Sequence, residues 1–419
     1  MPETSLSALS AEAWPFSLDW LPQPAYLVGG AVRDALLGRR AEYLDLDFVL
    51  PVDAVKTARS LANHYQAGFV LLDADRQIAR VVFPQGTVDF AQQEGSSLET
   101  DLNRRDFTVN AIAYNPFTQE LIDPLQGCSD LQQGLLRMVS PANLEDDPLR
   151  LLRAYRQAAQ LGFVIESTTR SVIRQLAPLL GQVAAERVLT ELRYLLKIPT
   201  GTAWIIAAVE DGLLSSWFGD EISQSHLATL AAVDSAAETL AAQWSLLKAE
   251  LTRSLRDTIN TTGLGIAKLI NLLPPNPSAT EQQLIRLTFS RPEIQTVTTV
   301  LKYLPPLQQA TLVEMSVREQ YFFFREVGTV FPILVVLAIA LGTPIETLAF
   351  LIQRYLDPDD LVAHPKPLVT GNDLMRSLNL PAGRQIGELL IEIQVAQAEG
   401  KISTSEAAIQ WAAQLLDTL

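Results

Sequence analysis

The chain has 419 residues, of which 48% are hydrophobic and 19% are charged. This composition excludes a disordered protein, and the length predicts about two to four domains with sizeable cores. The net charge of −15 excludes a protein that binds nucleic acid over its whole surface. A local basic surface is still compatible with it, because seven arginines and only three acidic residues lie between positions 150 and 193.

The chain shows no sign of export or of membrane insertion. Its single cysteine, Cys128, excludes an internal disulfide and fits a reducing compartment. The N-terminal residues lack the basic and apolar regions of a signal peptide. The most apolar run, residues 327–342, contains Pro332 and is shorter than the ~18–20 residues of a membrane span, so we expect a buried core helix. The sequence therefore predicts a cytoplasmic protein.

Taken in chain order, residues 1–20 form a leader, and a mixed pattern of strands and helices follows. Apolar runs and turn residues predict strands at 25–29, 44–50, 69–73, 77–83, 87–90 and 135–139 and helices at 31–38 and 52–66. The segment from 104 to 114 leads into a further helix, with Asp106 or Thr108 as its cap. These elements make a head at 21–140. Helical periodicity then predicts a neck at 141–200, a body at 201–356 and a tail at 357–419. The predicted fold class is α+β, with a small mixed sheet followed by helices.

Two carboxylates stand at alternate positions of the predicted strand 44–50. Because successive side chains of a strand point to opposite faces, Asp45 and Asp47 lie on the same face. Neighbouring carboxylates repel each other, whereas Mg²⁺ binds through one or two carboxylates together with substrate phosphates. We therefore predict that Asp45 and Asp47 hold divalent metal ions. Asp89, on a later strand, is either a third carboxylate of this site or a solvated acid at a strand end.

Glycines and arginines near these carboxylates predict a phosphate site. Gly29 and Gly30 follow the first strand and open a helix, where free backbone N–H groups attract phosphate. Arg33 lies one helical turn further, and its guanidinium suits a triphosphate. Arg104 and Arg105 precede a predicted helix start, where positive charge is unfavourable unless an anion binds. A phosphate site beside a two-carboxylate metal site indicates nucleotidyl transfer.

A third group of candidates lies on the amphipathic helix that begins near Asp147. Arg150, Arg153 and Arg156 are spaced by three and so form one slowly drifting stripe. Asp147 is either a helix cap before Pro148 or a base-selecting residue, and the arginines are either a solvated face or its partners. A carboxylate accepts from an exocyclic amine and an arginine donates to ring acceptors. The pair therefore suits an enzyme that selects a base without a template.

Four stretches, in this order, resemble the class II tRNA nucleotidyltransferases, the family of CCA-adding enzymes and bacterial poly(A) polymerases. They are residues 27–34 (LVGGAVRD), 44–48 (LDLDF), 104–113 (RRDFTVNAIA) and 146–156 (DDPLRLLRAYR). The resemblance covers most of the chain. It implies a polymerase-β-like nucleotidyltransferase head followed by a helical neck, body and tail.

The resemblance also implies a template-independent enzyme that adds C and A residues to the 3′ end of tRNA from CTP and ATP. It implies Mg²⁺ as the cofactor and pyrophosphate as the second product. The glycines and the first two arginines would take the phosphates or sugar, and the later residues would read the base or support that reading. The implied site comprises the catalytic metal ligands Asp45 and Asp47 and, for the nucleotide, Gly29, Gly30, Arg33, Arg105, Asp147, Arg150, Arg153 and Arg156.

The segment at residues 90–103 leaves the number of added nucleotides open. Family members that complete CCA have a longer flexible loop here, which helps to switch selection from C to A. The short segment resembles that of members that add only CC. A poly(A) polymerase is a further alternative, disfavoured because the chain has no long basic tail. An inactive tRNA-binding protein is disfavoured because both Asp45 and Asp47 are present.

Overall fold

The computed structural model describes residues 9–39, 43–219, 222–256, 259–308 and 315–416. The chain forms two compact units, of which the first comprises residues 1–195 and 207–217 and the second comprises residues 196–206 and 218–419. The predicted leader lies outside the described residues up to position 8. The predicted boundaries between head, neck, body and tail stay predictions.

Seven strands form one mixed sheet in the first unit. They are β1 (Tyr26–Val28), β2 (Leu44–Leu50), β3 (Gly68–Asp73), β4 (Ile78–Phe83), β5 (Gly86–Gln92), β6 (Ala113–Asn115) and β7 (Glu120–Ile122). Their order across the sheet is β3-β4-β5-β2-β1-β6-β7. Strands β2 and β5 are parallel, and the other neighbours are antiparallel. The five strands predicted before residue 91 are confirmed.

One face of this sheet is covered and apolar, and the other carries polar side chains on β2 and β5 beside an apolar cluster that includes Val28, Val49 and Leu102. The helices of this part of the chain are α1 (Gly30–Leu36), α2 (Ala54–Tyr65), α3 (Leu98–Leu102), α4 (Gly127–Gln133), α5 (Pro141–Asp146), α6 (Leu149–Leu161), α7 (Ser167–Leu176), α8 (Ala185–Lys197), α9 (Gly201–Glu210) and α10 (Ser215–Phe218). Helix α2 packs on β3, β4 and β5. Under it, Phe48 and Phe90 are buried and stacked with their ring centroids 5.6 Å apart. Replacing one such ring by alanine costs roughly 3–5 kcal/mol.

The helix predicted from residue 104 is wrong. The structure has one 3₁₀ turn at Thr108–Asn110, and the chain then enters β6. Tertiary contacts override the local pattern here, because β6 completes the sheet beside β1 and the Thr108 hydroxyl donates to buried Asp130 at 2.7 Å. The strand predicted at 135–139 is shorter, at β8 (Leu135–Leu136). It pairs with β9 (Val164–Ile165) outside the seven-stranded sheet.

A buried carboxylate joins the helices that follow the sheet. Asp211 accepts hydrogen bonds from the Tyr155 hydroxyl at 2.5 Å and from the Nε atoms of Arg170 and Arg174, each at 2.6 Å. Burial by itself would favour the neutral acid. The hydrogen bonds from Arg170, Tyr155 and Arg174 outweigh it and hold the pKa of Asp211 below its ordinary value. This cluster fastens α6 and α7 to the chain that follows α9.

The second unit is dominated by helices, and the predicted α+β class is confirmed. Its further elements are α11 (Gln224–Gln243), α12 (Ser245–Thr252), β10 (Ser254–Arg256), β11 (Ile259–Thr262), α13 (Gly263–Ile270), α14 (Pro277–Arg286), α15 (Arg291–Gln308), α16 (Val317–Val327), α17 (Phe331–Ala340), α18 (Ile345–Leu356), α19 (Gly371–Leu378), α20 (Arg384–Ala398) and α21 (Ser405–Leu416). Pro305 and Pro306 lie inside α15, within its last four residues. Each lacks the N–H that would donate to the carbonyl four residues earlier, so the helix loses those hydrogen bonds near its C-terminal end.

One helical stretch of the second unit is long and apolar enough to cross a membrane. It runs over Val317–Ala340, and 61% of its most apolar window is buried inside the protein. The residues from Phe331 to Ala338 are all buried, and α17 packs against α11, α13 and α15. A core helix passes the same composition test as a membrane span, and α17 has the buried position that the sequence predicts for it.

Candidate active site

The two strand carboxylates lie on the open face of the sheet, at the junction of β2 and β5. Asp45 is paired in register with Thr87 across the two parallel strands, and Asp47 is paired with Asp89. In-register partners point to the same face, so three carboxylates share it. The Thr87 hydroxyl donates to Asp45 Oδ1 at 2.6 Å. The structure thus places Asp89 beside the predicted metal ligands, where the sequence left its role open.

Negative charge accumulates at Asp47. This side chain is half-buried, whereas Asp45 is exposed. Burial, together with the neighbouring charges of Asp45 and Asp89, raises the pKa of Asp47 to about 6 against the lowering effect of Arg105 and Arg80. Because the nearby arginines do not fully compensate the negative charge of these carboxylates, the face that they share suits a cation.

Gly29 brings the backbone of β1 close to this charge. Its φ is +74°, and a Cβ built on it would lie 3.1 Å from Asp47 Oδ2 and 3.6 Å from Arg105 Nη1. Only glycine adopts this backbone conformation without strain and leaves this space open. Gly30 then begins α1. The structure therefore brings Gly29, Gly30, Arg105 and Asp47 together, as the sequence predicted.

Arg33 and Arg105 are both held by carboxylates. The Arg33 Nε and Nη2 atoms donate to Asp34 at 2.9 and 3.0 Å, and its Nη1 donates to Asn110 Oδ1 at 2.8 Å. The Arg105 Nη2 atom donates to Asp101 at 3.1 Å. The spacing of four residues between Asp101 and Arg105 could have predicted this ion pair from the sequence. Fixed guanidinium groups lose less entropy when they bind a phosphate.

Asp106 connects these arginines to the next helix. It is buried, and its Oδ1 accepts from Asn110 Nδ2 at 2.9 Å while its Oδ2 accepts from Arg153 Nε at 3.2 Å. Burial alone would raise its pKa. The charge of Arg153 and the hydrogen bonds from Asn110 and Phe107 prevail and lower the pKa of Asp106. Arg153 is therefore anchored to the head rather than exposed as a solvated face.

The other candidates on α6 are held in different ways. Arg150 Nη1 donates to the carbonyl oxygens of Arg104 at 2.9 Å and Asn143 at 3.0 Å. Asp147 Oδ2 accepts from Arg187 at 2.9 Å, and its Oδ1 caps Leu149 weakly at 3.4 Å.

Arg156 makes an ion pair through its Nε atom with Glu191 and lies over the Tyr194 ring. Asp147 and Arg150 thus lie at the start of α6, and Arg156 lies about two turns further along.

The donor set at Asp45 and Asp47 suits a divalent cation. Among the residues that the structure describes, no group of three or more His, Cys, Asp and Glu side chains forms a ready metal site. Mg²⁺ needs only one or two carboxylates when substrate phosphates supply its other ligands, and Asp47 lacks full charge compensation. A bound cation would neutralise charge on the triphosphate and on the leaving pyrophosphate.

A cavity of about 510 Å³ opens beside the carboxylates. Charged residues and Gly30 line it together with apolar residues of the leader, β1 and β2. The lining includes Gly30, Arg33, Asp45 and Asp47, with Leu9, Trp14, Leu27 and Leu46 among the apolar residues. The cavity therefore belongs to the same site.

Paired aspartates on a mixed sheet, next to a glycine turn and fixed arginines, define a nucleotidyltransferase head. The family model described as "Poly A polymerase head domain" matches residues 25–137, and a model for tRNA nucleotidyltransferase domain 2 matches residues 258–413. The chain is 49% identical over 406 residues to the CC-adding tRNA nucleotidyltransferase of Synechocystis sp., covering 96% of each protein. This chain belongs to the tRNA nucleotidyltransferase family and is a nucleotidyltransferase.

Two further relatives show how the family varies. The A-adding tRNA nucleotidyltransferase of Deinococcus radiodurans is 30% identical over 420 residues, which is 92% of this chain and 94% of that protein. The structure of the Thermotoga maritima CCA-adding enzyme complexed with tRNA matches with a TM-score of 0.70 and 24% identity, covering 94% of this chain and 91% of that one. The family thus includes enzymes that add different nucleotides and share one fold.

We predict that Gly29→Ala lowers nucleotidyl transfer at least tenfold, because the added Cβ crowds Asp47 Oδ2. Gly38→Ala is the matched control, since Gly38 has a φ of +69° and nothing within 4 Å of a built Cβ. Both variants carry backbone strain from a positive φ, and Gly29, with a ψ of −139° in a region almost confined to glycine, is at least as strained as the control. Steady-state rates and thermal melts of both would be measured. Equal losses of activity in the two variants would show that strain, and not crowding at Asp47, is responsible.

We predict that Asp47→Asn stabilises the metal-free protein at pH 7.5. Between the ordinary pKa of 3.8 and the folded value of about 6, the folded state binds more protons than the unfolded state. Stability therefore falls as pH rises through this window, and asparagine removes a cost of about 1–3 kcal/mol. Denaturant unfolding with chelator and with Mg²⁺ would measure this, and Mg²⁺ should stabilise only the unsubstituted protein.

The control for this measurement is Asp89→Asn, which breaks the Arg80 ion pair and should give no gain in stability. Equal stabilisation of the unsubstituted protein and Asp47→Asn by Mg²⁺ would contradict the metal assignment.

Proposed function

We propose that this enzyme adds two C residues to the 3′ end of tRNA from CTP and leaves the terminal A to another enzyme. The compact link between β5 and α3 favours addition of CC alone over addition of the full CCA. Strand β5 ends at Gln92 and α3 begins at Leu98, so the link is residues 93–97. Completing CCA would call for a longer, flexible loop at this place.

Hydrogen bonds tie this link down. The Gln93 N–H donates to the Leu50 carbonyl at 2.7 Å, and the Glu94 N–H donates to Asp101 Oδ1 at 3.0 Å. The Glu94 carboxylate pairs with Arg104 at 2.9 Å. A link whose first two residues are fixed in this way has little freedom to reshape the nucleotide site between one addition and the next. The 49% identity to a CC-adding relative, against 30% to an A-adding one, supports the same proposal.

In the proposed reaction, the 3′-hydroxyl oxygen of tRNA forms a bond to the α-phosphorus of CTP. The bond from that phosphorus to the bridging oxygen breaks, pyrophosphate leaves, and the hydroxyl proton passes to solvent. Arg33, Arg105 and the N–H groups at Gly29 and Gly30 hold the triphosphate. Asp45 and Asp47 hold Mg²⁺, which we propose as the cofactor. Most of the catalysis is positioning and charge stabilisation.

The start of α6 is proposed to read the base. The Asp147 carboxylate accepts from the exocyclic amine of cytosine, and the Arg150 guanidinium donates to its ring N and O acceptors. Arg150 is fixed through Arg104 O and Asn143 O, and Arg153 is fixed through Asp106. Arg156, paired with Glu191, supports the helix rather than the base. We further propose a cytoplasmic location, where tRNA is processed.

The decisive experiment uses tRNA transcripts that end at the discriminator base, labelled CTP or ATP, and Mg²⁺. We expect two C residues and no A, even when ATP is present in excess, because the tied link at 93–97 keeps the site in its C-selecting shape. Gel resolution of the products counts the additions. A terminal A on the CC product would establish full CCA addition, long A tails would establish a poly(A) polymerase, and no incorporation would remove the enzyme assignment.

We predict that Asp147→Asn lowers kcat/KM for CTP by about 5- to 100-fold, because a good base contact contributes about 1–3 kcal/mol of discrimination. Asparagine can donate as well as accept, so rejection of UTP should relax at the same time. Asp146→Asn is the matched control, since Asp146 directly precedes Asp147 in the chain and is exposed. Competition between CTP and UTP would be measured for both variants. Unchanged CTP preference in Asp147→Asn would show that base reading lies elsewhere.

A further inference from the structure

The open face of the sheet continues past the carboxylates onto β4 and β3. Strand register places Asp47, Asp89, Arg80 and Val70 in one row across β2, β5, β4 and β3. A second row contains Asp45, Thr87, Val82 and Gly68. All eight residues share one face, because paired residues of neighbouring strands point the same way.

This outer part of the face is accessible and carries one cation. The exposed fractions of Val70 and Val82 are 45% and 38%. The Arg80 side chain is 38% exposed, whereas that of its partner Asp89 is 16% exposed. Two strand spacings of about 4.8 Å separate β5 from β3, so the surface is about 10 Å wide beyond Asp89. That width suits a strand of nucleic acid rather than a protein domain.

The geometry of the transfer assigns an occupant to this surface. The triphosphate ligands Gly29, Gly30 and Arg33 lie on β1 and α1, and β1 is the neighbour of β2 on the side away from β5. In an in-line displacement, the attacking oxygen approaches opposite to the leaving group. The attacking 3′-hydroxyl must therefore come from the β5 side, across β4 and β3.

We propose that the face formed by Arg80, Val70 and Val82 binds the 3′-terminal nucleotides of the tRNA, with Arg80 as a positioning residue for their phosphodiester. This inference rests on the proposed function in taking tRNA as the acceptor and Gly29, Gly30 and Arg33 as the triphosphate ligands. The two valines offer an apolar floor to a ribose or a base, and Arg80 is the positive group that the phosphate requires beside three carboxylates. Continuity with the catalytic carboxylates favours this occupant.

Arg80 has donors to spare for this role. Its Nε and Nη2 atoms donate to the two oxygens of Asp89 at 2.7 and 2.8 Å. A guanidinium has five N–H donors, so this pair uses two of them. Within the described part of the chain, Nη1 has no hydrogen-bond partner. Asp89 thus orients Arg80, and the remaining donors face a ligand or solvent.

The test is direct binding of a tRNA transcript that ends at the discriminator base, measured by fluorescence anisotropy over a range of salt concentrations without CTP. We expect Arg80→Gln to weaken binding about tenfold, which corresponds to one charge-assisted contact. The slope of log K against log salt should become shallower by about 0.7, the value for one phosphate contact to a single strand. The KM for CTP should change less than about twofold, since Arg80 lies away from the triphosphate ligands.

Arg76→Gln is the matched control, because it removes one arginine from the exposed turn of the same β3–β4 hairpin. Arg80→Lys should recover part of the binding, and Val70→Asp should weaken it by adding like charge. Unchanged tRNA affinity and salt slope in Arg80→Gln would overturn the proposal and leave a purely structural cross-strand pair. A change of oligomeric state in Val70→Asp, with tRNA binding unchanged, would overturn it in favour of a second copy of the chain.

Because binding is measured without catalysis, its result is separate from how many nucleotides the enzyme adds. Absence of incorporation with normal, Arg80-dependent binding would reject the proposed function and keep this inference.

Discussion

The repulsion among carboxylates on one face of the sheet is the constraint on which the first unit depends. Parallel pairing of β2 with β5 forces Asp89 beside Asp47, and alternation along β2 adds Asp45. Folding by itself gains nothing from this arrangement, and the raised pKa of Asp47 records its cost. The charges of Arg105 and Arg80 lower the pKa of Asp47 without restoring its ordinary value. A bound cation and a phosphate would complete the charge compensation.

A continuous polar path connects Arg33, the proposed phosphate ligand, to α6, the helix that we propose reads the base. Arg33 donates to Asn110, Asn110 donates to Asp106, and Arg153 on α6 donates to the same carboxylate. Each buried group is satisfied by the next, which makes the path rigid. The distance between the triphosphate and the base is nearly fixed in a nucleotide. A rigid connection between the two protein groups that hold them therefore contributes to selection.

The sequence was informative where a local pattern carried the geometry. Alternation along β2 was enough to place Asp45 and Asp47 together, and the turn after β1 was enough to bring Gly29 to them. The contribution of Arg80 depends on strand register, which links residues far apart in the chain and leaves no local signal. The helix predicted after Arg105 was wrong for a related reason. Its polar residues look like helix caps, but their partners lie on other elements.

The arginines between residues 150 and 193 do not form a simple basic surface, because most of them are paired with carboxylates. Arg153 pairs with Asp106, Arg156 with Glu191, and Arg187 with Asp147, while Arg170 and Arg174 share Asp211. These ion pairs neutralise much of the local positive charge that the sequence count shows.

Each such guanidinium still has N–H donors left after its carboxylate is satisfied. Phosphates can therefore be recognised by oriented hydrogen bonds at chosen points, with little general attraction. In a chain of net charge −15, this arrangement favours release of the extended tRNA over tight retention, because few counterions are exchanged on binding. An enzyme that leaves the terminal A to another enzyme, as proposed above, benefits from that balance.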